Sequence, residues 1–441
     1  MSAGPTVSGK LAGFIHATTF ESLPPEVVDR ARTRLLDCLG TALAARDLRV
    51  PALALAFVKG NEGPASVIGH PERLPLVDAA FVNATLVNGR SQDDFLAKSH
   101  PGALTVPSAL AVSEAEGRSG QELLVALVIG YEVVGRAWLG GPRMLPRFRA
   151  SGVAGTVGAA ATAAKLMRLD ATQVRHALGL GAIFAHGFGQ GFLSGTNDVK
   201  LNVGMASRSG MSAALLARGG ATASPEAFEG EAGYYRAFDG SLEDIDAATK
   251  GLGERWLILD TVYKECPVCI FTQTPIALAR RIAPKLDARR IERVLVTSPE
   301  LTHANPGFTN VAPFRTHLQA VVSARFCTAA ALLGKPVEEH DFYDRLEDPE
   351  VLALAEKIEL EPHPTDTERV AIEVRTAGGV LRADGIENDT LRPSNEKIVA
   401  KFHRLAGAVP ASVRERIVGT VMGLEREDGI RGLMALLSPG R

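Results

Sequence analysis

Residues 152–167 have the sequence GVAGTVGAAATAAKLM, which is built almost entirely from Gly, Ala, Thr and Val. Because small side chains let helix backbones approach closely, this stretch predicts a central, fully buried helix. Up to about residue 256, apolar residues recur at helical spacing and no alternating strand pattern occurs. This periodicity predicts further helices at residues 24–45, 52–59, 78–87, 105–116, 121–138, 171–189 and 203–218.

The pattern changes in the last third of the chain. RVLVT (293–297) and RVAIEVR (369–375) are short alternating runs rich in β-branched residues, which predict strands. Gly378 and Gly379 separate the second run from residues 380–383, and this spacing predicts a β-hairpin. The region therefore differs in class from the helical part that precedes it.

Helical patterns flank these strands. Residues 318–333 predict a helix between the strands, and residues 395–437 return to helices that we expect to pack on the first part of the chain. The predicted fold is mainly α. It has a large all-helical domain formed by residues 1–260 and 396–441, and a smaller α+β domain at residues 261–395.

The bulk composition is that of an ordinary soluble globular protein. The 441 residues are 46% hydrophobic and 22% charged, with a formal net charge of −2. No basic block suggests nucleic acid or an anionic membrane as a partner, and the most apolar windows, 123–134 and 153–167, are too short to span a bilayer. Four cysteines are too few for a disulfide framework, and residues 1–23 lack a signal-peptide pattern, so we expect a cytoplasmic protein.

The sequence QDDFLAKSHPGA (92–103) concentrates chemistry between two apolar stretches. It contains the carboxylates of Asp93 and Asp94, the ammonium of Lys98 and the imidazole of His100, followed by a Pro-Gly break. A charged loop between buried helices is typical of a functional site. The alternative is a helix N-cap with solvated charges.

Two lysines are further candidates. Lys200 stands close before a predicted buried helix, where it could bind a carboxylate or act as a base, unless it is simply exposed. Lys264 lies at the junction of the two predicted domains, where clefts form. The nearby Cys266 and Cys269 have Cys-x-x-Cys spacing, but no second metal-binding pair follows, so we favour a buried hydrophobic role over a metal or redox site.

Arginines and a polar loop complete the candidates. Arg143, Arg147 and Arg149 precede the Gly/Ala-rich helix, whose N-terminus would favour a bound carboxylate, although a solvated basic loop is an equal alternative. Residues 303–315, with His317, either cover a cleft or only connect two elements. The chain has no P-loop, no dinucleotide fingerprint and no nucleophile elbow.

With these segments placed, the chain resembles the MmgE/PrpD family, whose members include 2-methylcitrate dehydratases, cis-aconitate decarboxylases and an iminodisuccinate epimerase. The matching pieces are AAFVNATLVNGRSQDDF (79–95), HPGALTVPSALAVSE (100–114), GTVGAAATAAKLMRLD (155–170), NDVKLNVGMASRSGMSAALLARGG (197–220) and YKECPVC (263–269). The resemblance implies an all-helical domain built from both chain ends and an α+β lid. It also implies a homodimer, a cleft between the domains, and no metal or other cofactor.

Some of the family's functional residues are retained. His100 resembles the active-site His of the family's His-Pro pair, and Lys200 and Lys264 resemble its two lysines. Asp93 and Asp94 match its Asp-Asp pair. The resemblance implies His100 as the acid/base, with Asp93 or Asp94 to orient it, and both lysines as carboxylate clamps.

Other positions depart from the family pattern. Asn88 stands at a family His, Ser91 at an Asp, Arg149 at a second His, and Phe326 near a Tyr of the decarboxylase branch. A guanidinium in place of an imidazole removes a titrating group and adds a permanent positive charge, so Arg149 favours anion binding. We expect Asn88, Ser91 and Arg149, together with Asp94, to contact the substrate.

The sequence therefore predicts a lyase that dehydrates or decarboxylates a small di- or tricarboxylic acid by acid/base chemistry next to a carboxylate. The alternative is an isomerase or epimerase that removes and returns an α-proton, which needs fewer acid/base groups. A third hypothesis is a non-catalytic helical dimer.

Overall fold

A computed structural model describes residues 6–363, 369–386 and 391–438. Helices make up 58% of the structure and strands 9%, and the strands lie mainly in one small mixed sheet in the C-terminal region. This confirms the predicted class, which is mainly α with a smaller α+β part.

The first and larger unit is helical. Its helices are α1 (Val7–Ala17), α2 (Pro25–Ala44), α3 (Arg49–Phe57), α4 (Leu76–Asn88), α5 (Pro101–Glu116), α6 (Gly120–Leu139), α7 (Ala150–Leu166), α8 (Ala171–Ile183), α9 (Gln190–Ser194), α10 (Asp198–Arg218) and α11 (Tyr234–Phe238). A two-stranded ladder, β1 (Ala65–Ser66) with β2 (Arg73–Leu74), lies between α3 and α4.

Helix α7 is the predicted central helix. All of its side chains except Lys165 are buried, which confirms the prediction from residues 152–167. Gly155 faces Leu104 of α5 and Gly158 faces Val134 of α6 so closely that a Cβ would overlap either side chain. These glycines therefore let three helices pack at short distance around the middle of the unit.

Two predicted helices differ at their ends. Helix α10 begins at Asp198 instead of residue 203, which places Lys200 in its first turn instead of in the preceding loop. Helix α8 ends at Ile183 instead of residue 189, because the glycine-rich segment that follows turns back, and Gly187 has a φ of 122°.

The smaller unit holds a four-stranded sheet. Its strands are β3 (Ile291–Ser298), β4 (Ile358–Pro362), β5 (Arg369–Thr376) and β6 (Gly379–Ile386), in the order β4-β3-β5-β6. Strands β3 and β4 are parallel, whereas β5 pairs antiparallel with β3 and with β6. The predicted strands and the hairpin are confirmed, but β4 was not predicted because its IELEP sequence has only two apolar residues.

The smaller unit also contains helices. They are α12 (Ile270–Ile282), α13 (Glu300–His303), α14 (His317–Val322), α15 (Ala324–Leu332) and α16 (Pro349–Ala355). Of these, α12 and α15 pack against the sheet. The single helix predicted at 318–333 is two helices, because the chain leaves helical geometry at Ser323, whose hydroxyl accepts from Phe326 N and caps α15.

The chain then returns to the larger unit through α17 (Asn395–Leu405), α18 (Ala411–Met422) and α19 (Arg431–Leu437). Phe402, Ile417 and Leu437 belong to the same hydrophobic core as α2 and α7, while residues between 266 and 383 form most of a second core. We retain the domain boundaries 1–260 with 396–441, and 261–395, as a prediction. Among the described helices, none combines the length and apolarity that a bilayer crossing requires.

Candidate active site

A cavity of about 110 Å³ lies where the two units meet. Its polar lining consists of Asn88, Ser91, Lys98, His100, Arg149, Ser151, Lys200, Lys264, Cys269 and Asn305. Its apolar lining consists of Phe95, Leu145, Pro146, Ala150, Gly189, Phe192, Val199, Ile270, Phe271, Pro306, Leu318, Val321 and Val322. None of these described residues is acidic, so the cavity suits an anion.

The loop of residues 89–100, between α4 and α5, forms the floor of the site. Phe95 exchanges backbone hydrogen bonds with Val262, at 2.9 and 3.0 Å. This antiparallel pair places Lys264, two residues after Val262, beside Asp93, two residues before Phe95. The contact between Lys264 and Asp93, which are 171 positions apart in the chain, thus depends on this one short backbone pairing.

His100 is the N-cap residue of α5 and is held on one side only. Its Nδ1 lies 3.1 Å from Asp93 Oδ2 and 3.1 Å from the backbone oxygen of Asp94. Two acceptors at Nδ1 favour the tautomer that carries its proton there, which leaves Nε2 as the basic nitrogen. Burial lowers the pKa of His100 and outweighs the opposing effect of Asp93, so the neutral base is favoured near pH 7.

Asp93 is fully buried behind His100. Burial alone would raise its pKa, but electrostatic interactions with His100 and Lys264 and hydrogen bonds from His100 and Asn88 lower the pKa well below the ordinary value. Asn88 Nδ2 donates to both carboxylate oxygens, at 3.1 and 3.0 Å. Asp93 does not line the cavity, and its contact with His100 favours a positioning role, while the catalytic role predicted for it stays a prediction.

Two lysines meet at Ser91. Lys200 Nζ donates to Ser91 Oγ at 2.6 Å and to the backbone oxygen of Asn88 at 3.0 Å, and Lys264 Nζ donates to the backbone oxygen of Ser91 at 2.7 Å. Ser91 has a φ of 55°, a conformation that non-glycine residues rarely adopt. Burial lowers the pKa of Lys264, and it lowers that of Lys200 to about 7. Both ammonium groups face the cavity that an anion would enter.

Arg149 is the third cation at the cavity. It is the N-cap residue of α7, it is only 5% exposed, and its guanidinium lies 5.3 Å from the Phe192 ring centroid. Nη1 is buried and makes no hydrogen bond with any described residue. Burial lowers the pKa of Arg149 to about 10, against the effects of Asp93 and Asp198. A buried guanidinium with an unused donor is suited to a carboxylate ligand.

Asp94 faces away from the cavity. Its Oδ1 accepts from Gly102 N at 3.0 Å, and its Oδ2 is hydrogen-bonded to the Tyr131 hydroxyl. Burial raises the pKa of Asp94 to about 7 despite Arg34 and Tyr131, which lower it. Asp94 therefore ties the loop to α5 and α6, a placement that does not favour the substrate contact predicted for it.

Lys98 lines the cavity, although the resemblance to the family gave it no role. Leu96 and Ser99 exchange backbone hydrogen bonds around it, and Ala97 and Lys98 have φ values of 48° and 60°. Two positive φ values define a type I′ turn, which glycine would adopt more easily. This turn holds the Lys98 ammonium 4.5 Å from the Phe271 ring centroid.

The arginine cluster and the 303–315 loop differ in how much of each reaches the cavity. Arg143 forms ion pairs with Asp239 and two other acidic side chains, and Arg147 is exposed, so only Arg149 of that cluster reaches the cavity. Asn305 and Pro306 show that the 303–315 loop does cover part of the cavity.

The positions of Cys266, Cys269 and Phe326 are also defined. No disulfide links the two cysteines, and Cys266 is buried in the smaller core. Phe326 packs 5.2 Å from the Phe314 ring, within the core of the smaller unit, and does not line the cavity. The position matched to the family Tyr therefore contributes nothing to this cavity.

Ser151 and Phe271 were missed from the sequence. The Ser151 hydroxyl accepts from His100 N at 3.2 Å. Its place in the first turn of the small-residue helix, two positions after Arg149, was the available signal. Phe271 carried no signal, because helix α12 was not predicted.

Two domains of one protein family match this chain in series: the MmgE/PrpD N-terminal domain over residues 9–243 and the MmgE/PrpD C-terminal domain over residues 266–424. Together they span most of the chain and confirm the resemblance.

Individual relatives are distant. The cis-aconitate decarboxylase of Homo sapiens is 27% identical over 380 residues, which cover 81% of this chain and 77% of that protein. The cis-aconitate decarboxylase of Mus musculus is 28% identical, with coverage of 82% and 76%. The cis-aconitate decarboxylase of Aspergillus terreus is 25% identical, with coverage of 98% and 96%. These relatives are enzymes.

Proposed function

The chain belongs to the MmgE/PrpD family, and we propose that it is a lyase that removes water or CO2 from a small carboxylic acid with at least two carboxylates. The observation that carries the proposal is His100. It is a partly buried imidazole whose Nδ1 is held by Asp93 and the Asp94 backbone, and it faces a cavity lined by four cationic side chains. The names of the relatives support a lyase of this kind.

The chemistry proceeds through negative charge on carbon. In dehydration, His100 Nε2 removes a proton from the carbon next to a carboxylate, and the electron pair of the C–H bond spreads onto the carboxylate oxygens. The charge then expels the β-hydroxyl group, which takes the proton from the imidazolium and leaves as water. Proton transfer of this kind contributes about 10²–10⁴-fold to a rate.

Decarboxylation uses the same groups, but His100 donates a proton to carbon instead of removing one. Loss of CO2 leaves the electron pair on carbon, and the imidazolium of His100 delivers a proton to it. The neutral imidazole suits dehydration as the first step, whereas decarboxylation needs His100 to be protonated once the anionic substrate is bound. The two reactions therefore have opposite pH dependence on the acid side of neutrality.

The cations stabilise the charge that develops. Lys200, Lys264 and Arg149 all line the cavity and would each donate to a carboxylate oxygen. Asn88 and Ser91 mainly position charged side chains. Asn88 donates a hydrogen bond to Asp93, and Ser91 accepts hydrogen bonds from both lysines. Their proposed substrate contact is therefore secondary to the positioning of charged groups.

Proton NMR of purified protein with a panel of di- and tricarboxylic acids tests the proposal. A new alkene signal without gas indicates dehydration, and a product one carboxylate smaller with bicarbonate indicates decarboxylation. The rate should rise with pH in the first case and fall in the second. No conversion of any panel member, together with no binding of any carboxylate, would refute the proposal.

The same spectra in D2O test the isomerase alternative, which stays a prediction. Deuterium incorporation without an alkene would favour it over a lyase. The homodimer and the cytoplasmic location also stay proposals that follow from the family resemblance and the composition. Sedimentation equilibrium tests the dimer.

A further inference from the structure

We propose that the natural substrate carries a short apolar arm beside its carboxylates, so that it is an alkyl- or aryl-substituted dicarboxylic acid and not a tricarboxylic acid. This inference rests on the proposed function, because it assumes that the cations of the cavity bind carboxylates. It adds what occupies the other side of the cavity.

The two units contribute different chemistry. The larger unit supplies Lys98, His100, Arg149 and Lys200, while Lys264 comes from the connection between the units. The smaller unit supplies an apolar wall that consists of Ile270, Phe271, Pro306, Leu318, Val321 and Val322. The cations therefore come mainly from the larger unit, whereas the contribution of residues 270–322 is almost entirely apolar. The larger unit also adds the apolar lining residues Phe95, Leu145, Pro146, Ala150, Gly189, Phe192 and Val199.

The polar atoms on the wall of the smaller unit are few. Asn305 is one of its two polar lining residues, but its amide nitrogen donates to the backbone oxygens of Leu301 and Thr302, at 2.7 and 3.2 Å. The other is Cys269, whose thiol is only a weak donor. Lys98 lies beside Phe271, 4.5 Å from its ring centroid, so this cation serves only that end of the wall. A third carboxylate placed against Leu318, Val321 and Val322 would lose its water without gaining a strong donor, which is unfavourable.

An aromatic row connects this wall to the base. The rings of Phe95 and His100 lie 5.5 Å apart, and those of Phe95 and Phe271 lie 6.1 Å apart, both in edge-to-face geometry. A substituent on the reacting carbon or its neighbour would thus contact Phe95 and Phe271 while His100 reaches the proton. A cavity volume of about 110 Å³ favours a short arm over a long one.

Calorimetric titration of the full chain with succinate, 2-methylsuccinate, 2-propylsuccinate and tricarballylate tests the inference. We expect affinity to rise about fourfold for each methylene that enters an apolar site, and tricarballylate to bind more weakly than 2-propylsuccinate. Equal affinities along the series, or tighter binding of tricarballylate, would overturn it. In that case the wall only excludes water.

Two variants localise the effect. Val322→Thr keeps the shape of the side chain, and it should lower the ratio of 2-propylsuccinate to succinate affinity several-fold if the arm lies on this wall. Leu53→Ala is the matched control, because Leu53 is an exposed residue of α3 away from the cavity. An unchanged ratio in Val322→Thr would contradict the inference.

The failure of this inference differs from the failure of the proposed function. If succinate and tricarballylate bind and the alkyl series shows no gain, only the apolar arm is wrong. If no carboxylate binds to the protein, the proposed function itself is wrong.

Discussion

The loop of residues 89–100 has two faces that differ in what surrounds them. On the cavity face, His100, Lys200 and Arg149 line a space that a ligand can enter. On the core face, Asp94 is bonded to Gly102 and Tyr131. Both faces are buried and charged, but only the cavity face keeps donors directed at open space.

The neighbours Asp93 and Asp94 show this difference most clearly. Cations beside Asp93 lower its pKa, whereas burial with too little compensation raises the pKa of Asp94 to about 7. Adjacent carboxyl groups with opposite pKa shifts have different roles. Asp93 is an anion that holds His100, and Asp94, with a pKa raised to about 7, holds the loop to α5 and α6.

The core face also anchors the C-terminal segment. Lys401 of α17 lies 2.6 Å from Asp37 and donates to the Gln92 backbone oxygen at 2.9 Å. Arg34 stacks on the Tyr263 ring, 3.0 Å from its centroid. The last helices of the chain therefore fix the loop from behind, while the smaller unit covers it from the front.

The largest expected effect comes from removing the base on the cavity face. His100→Ala should lower kcat by about 10³-fold or more, because proton transfer alone contributes about 10²–10⁴-fold. Thermal unfolding should change little, since the His100 side chain faces a cavity. The matched control is His16→Ala, at an exposed residue of α1 that does not line the cavity. Full activity in His100→Ala would show that another group is the base, whereas the non-catalytic helical dimer predicts that even the parent protein converts no carboxylate.

Asp93→Asn should lower kcat by about 10²-fold, because it removes the charge that orients His100 and raises its pKa. The pH profile separates positioning from mere loss of structure: the apparent pKa of the base in kcat/KM should move to lower pH. If neither the pH profile of kcat/KM nor kcat changed, Asp93 would not position His100, and the difference between the two faces would be wrong.

Arg149→Met should weaken the binding of a dicarboxylate by about 10–100-fold, the range for hydrogen bonds to charged groups. Because the guanidinium is buried and Nη1 is unpaired, the free variant should be at least as stable as the parent protein. Arg147→Met, at the exposed neighbour, is the control. Loss of stability without loss of binding would place Arg149 in a structural role.

Lys200 should make binding depend on pH. Its pKa of about 7 means that the free protein loses this charge as the pH rises through neutrality, so dianion affinity should be about tenfold weaker at pH 8 than at pH 6. Isothermal titration at both pH values measures this ratio. In Lys200→Met the ratio should shrink towards one, and a ratio that persists would assign the titration to another group.

The smallest effect on activity is expected on the core face. The raised pKa of Asp94 contributes stability below about pH 4 that is lost as the pH rises through about 7, because the native state retains a proton that the unfolded chain releases. Asp94→Asn mimics the protonated form. Its stability relative to the parent protein should therefore increase by about 1–3 kcal/mol between pH 4 and pH 8.

Urea unfolding at both pH values measures this change, and kcat should fall only a few-fold. Asp93 predicts the opposite sign, since its lowered pKa contributes stability that is lost as the pH falls below about 4. If both Asp94→Asn and Asp93→Asn responded alike, the contrast between the two faces would be wrong.

Several features of the fold were accessible from the sequence because they depend on local patterns. Helical spacing, the small residues of α7 and the alternating runs of β3 and β5 each report burial on a fixed period. The same reasoning failed for α12, which has Pro275 inside it, and for the break at Ser323. Side-chain capping and tertiary packing decide those points, and neither leaves a periodic signal.

The chemistry of the site was only partly accessible. The order of motifs identified the family and pointed to His100, Lys200 and Lys264, because residue type and spacing are properties of the sequence. Three features depend instead on contacts between distant segments. They are which of the two adjacent carboxylates faces the base, whether Lys98 reaches the cavity, and whether Arg149 is paired. The Phe95–Val262 pairing is one such contact, and pKa values follow from the burial that these contacts create. The sequence by itself determined the inventory of groups, and the tertiary structure decided which of them face each other.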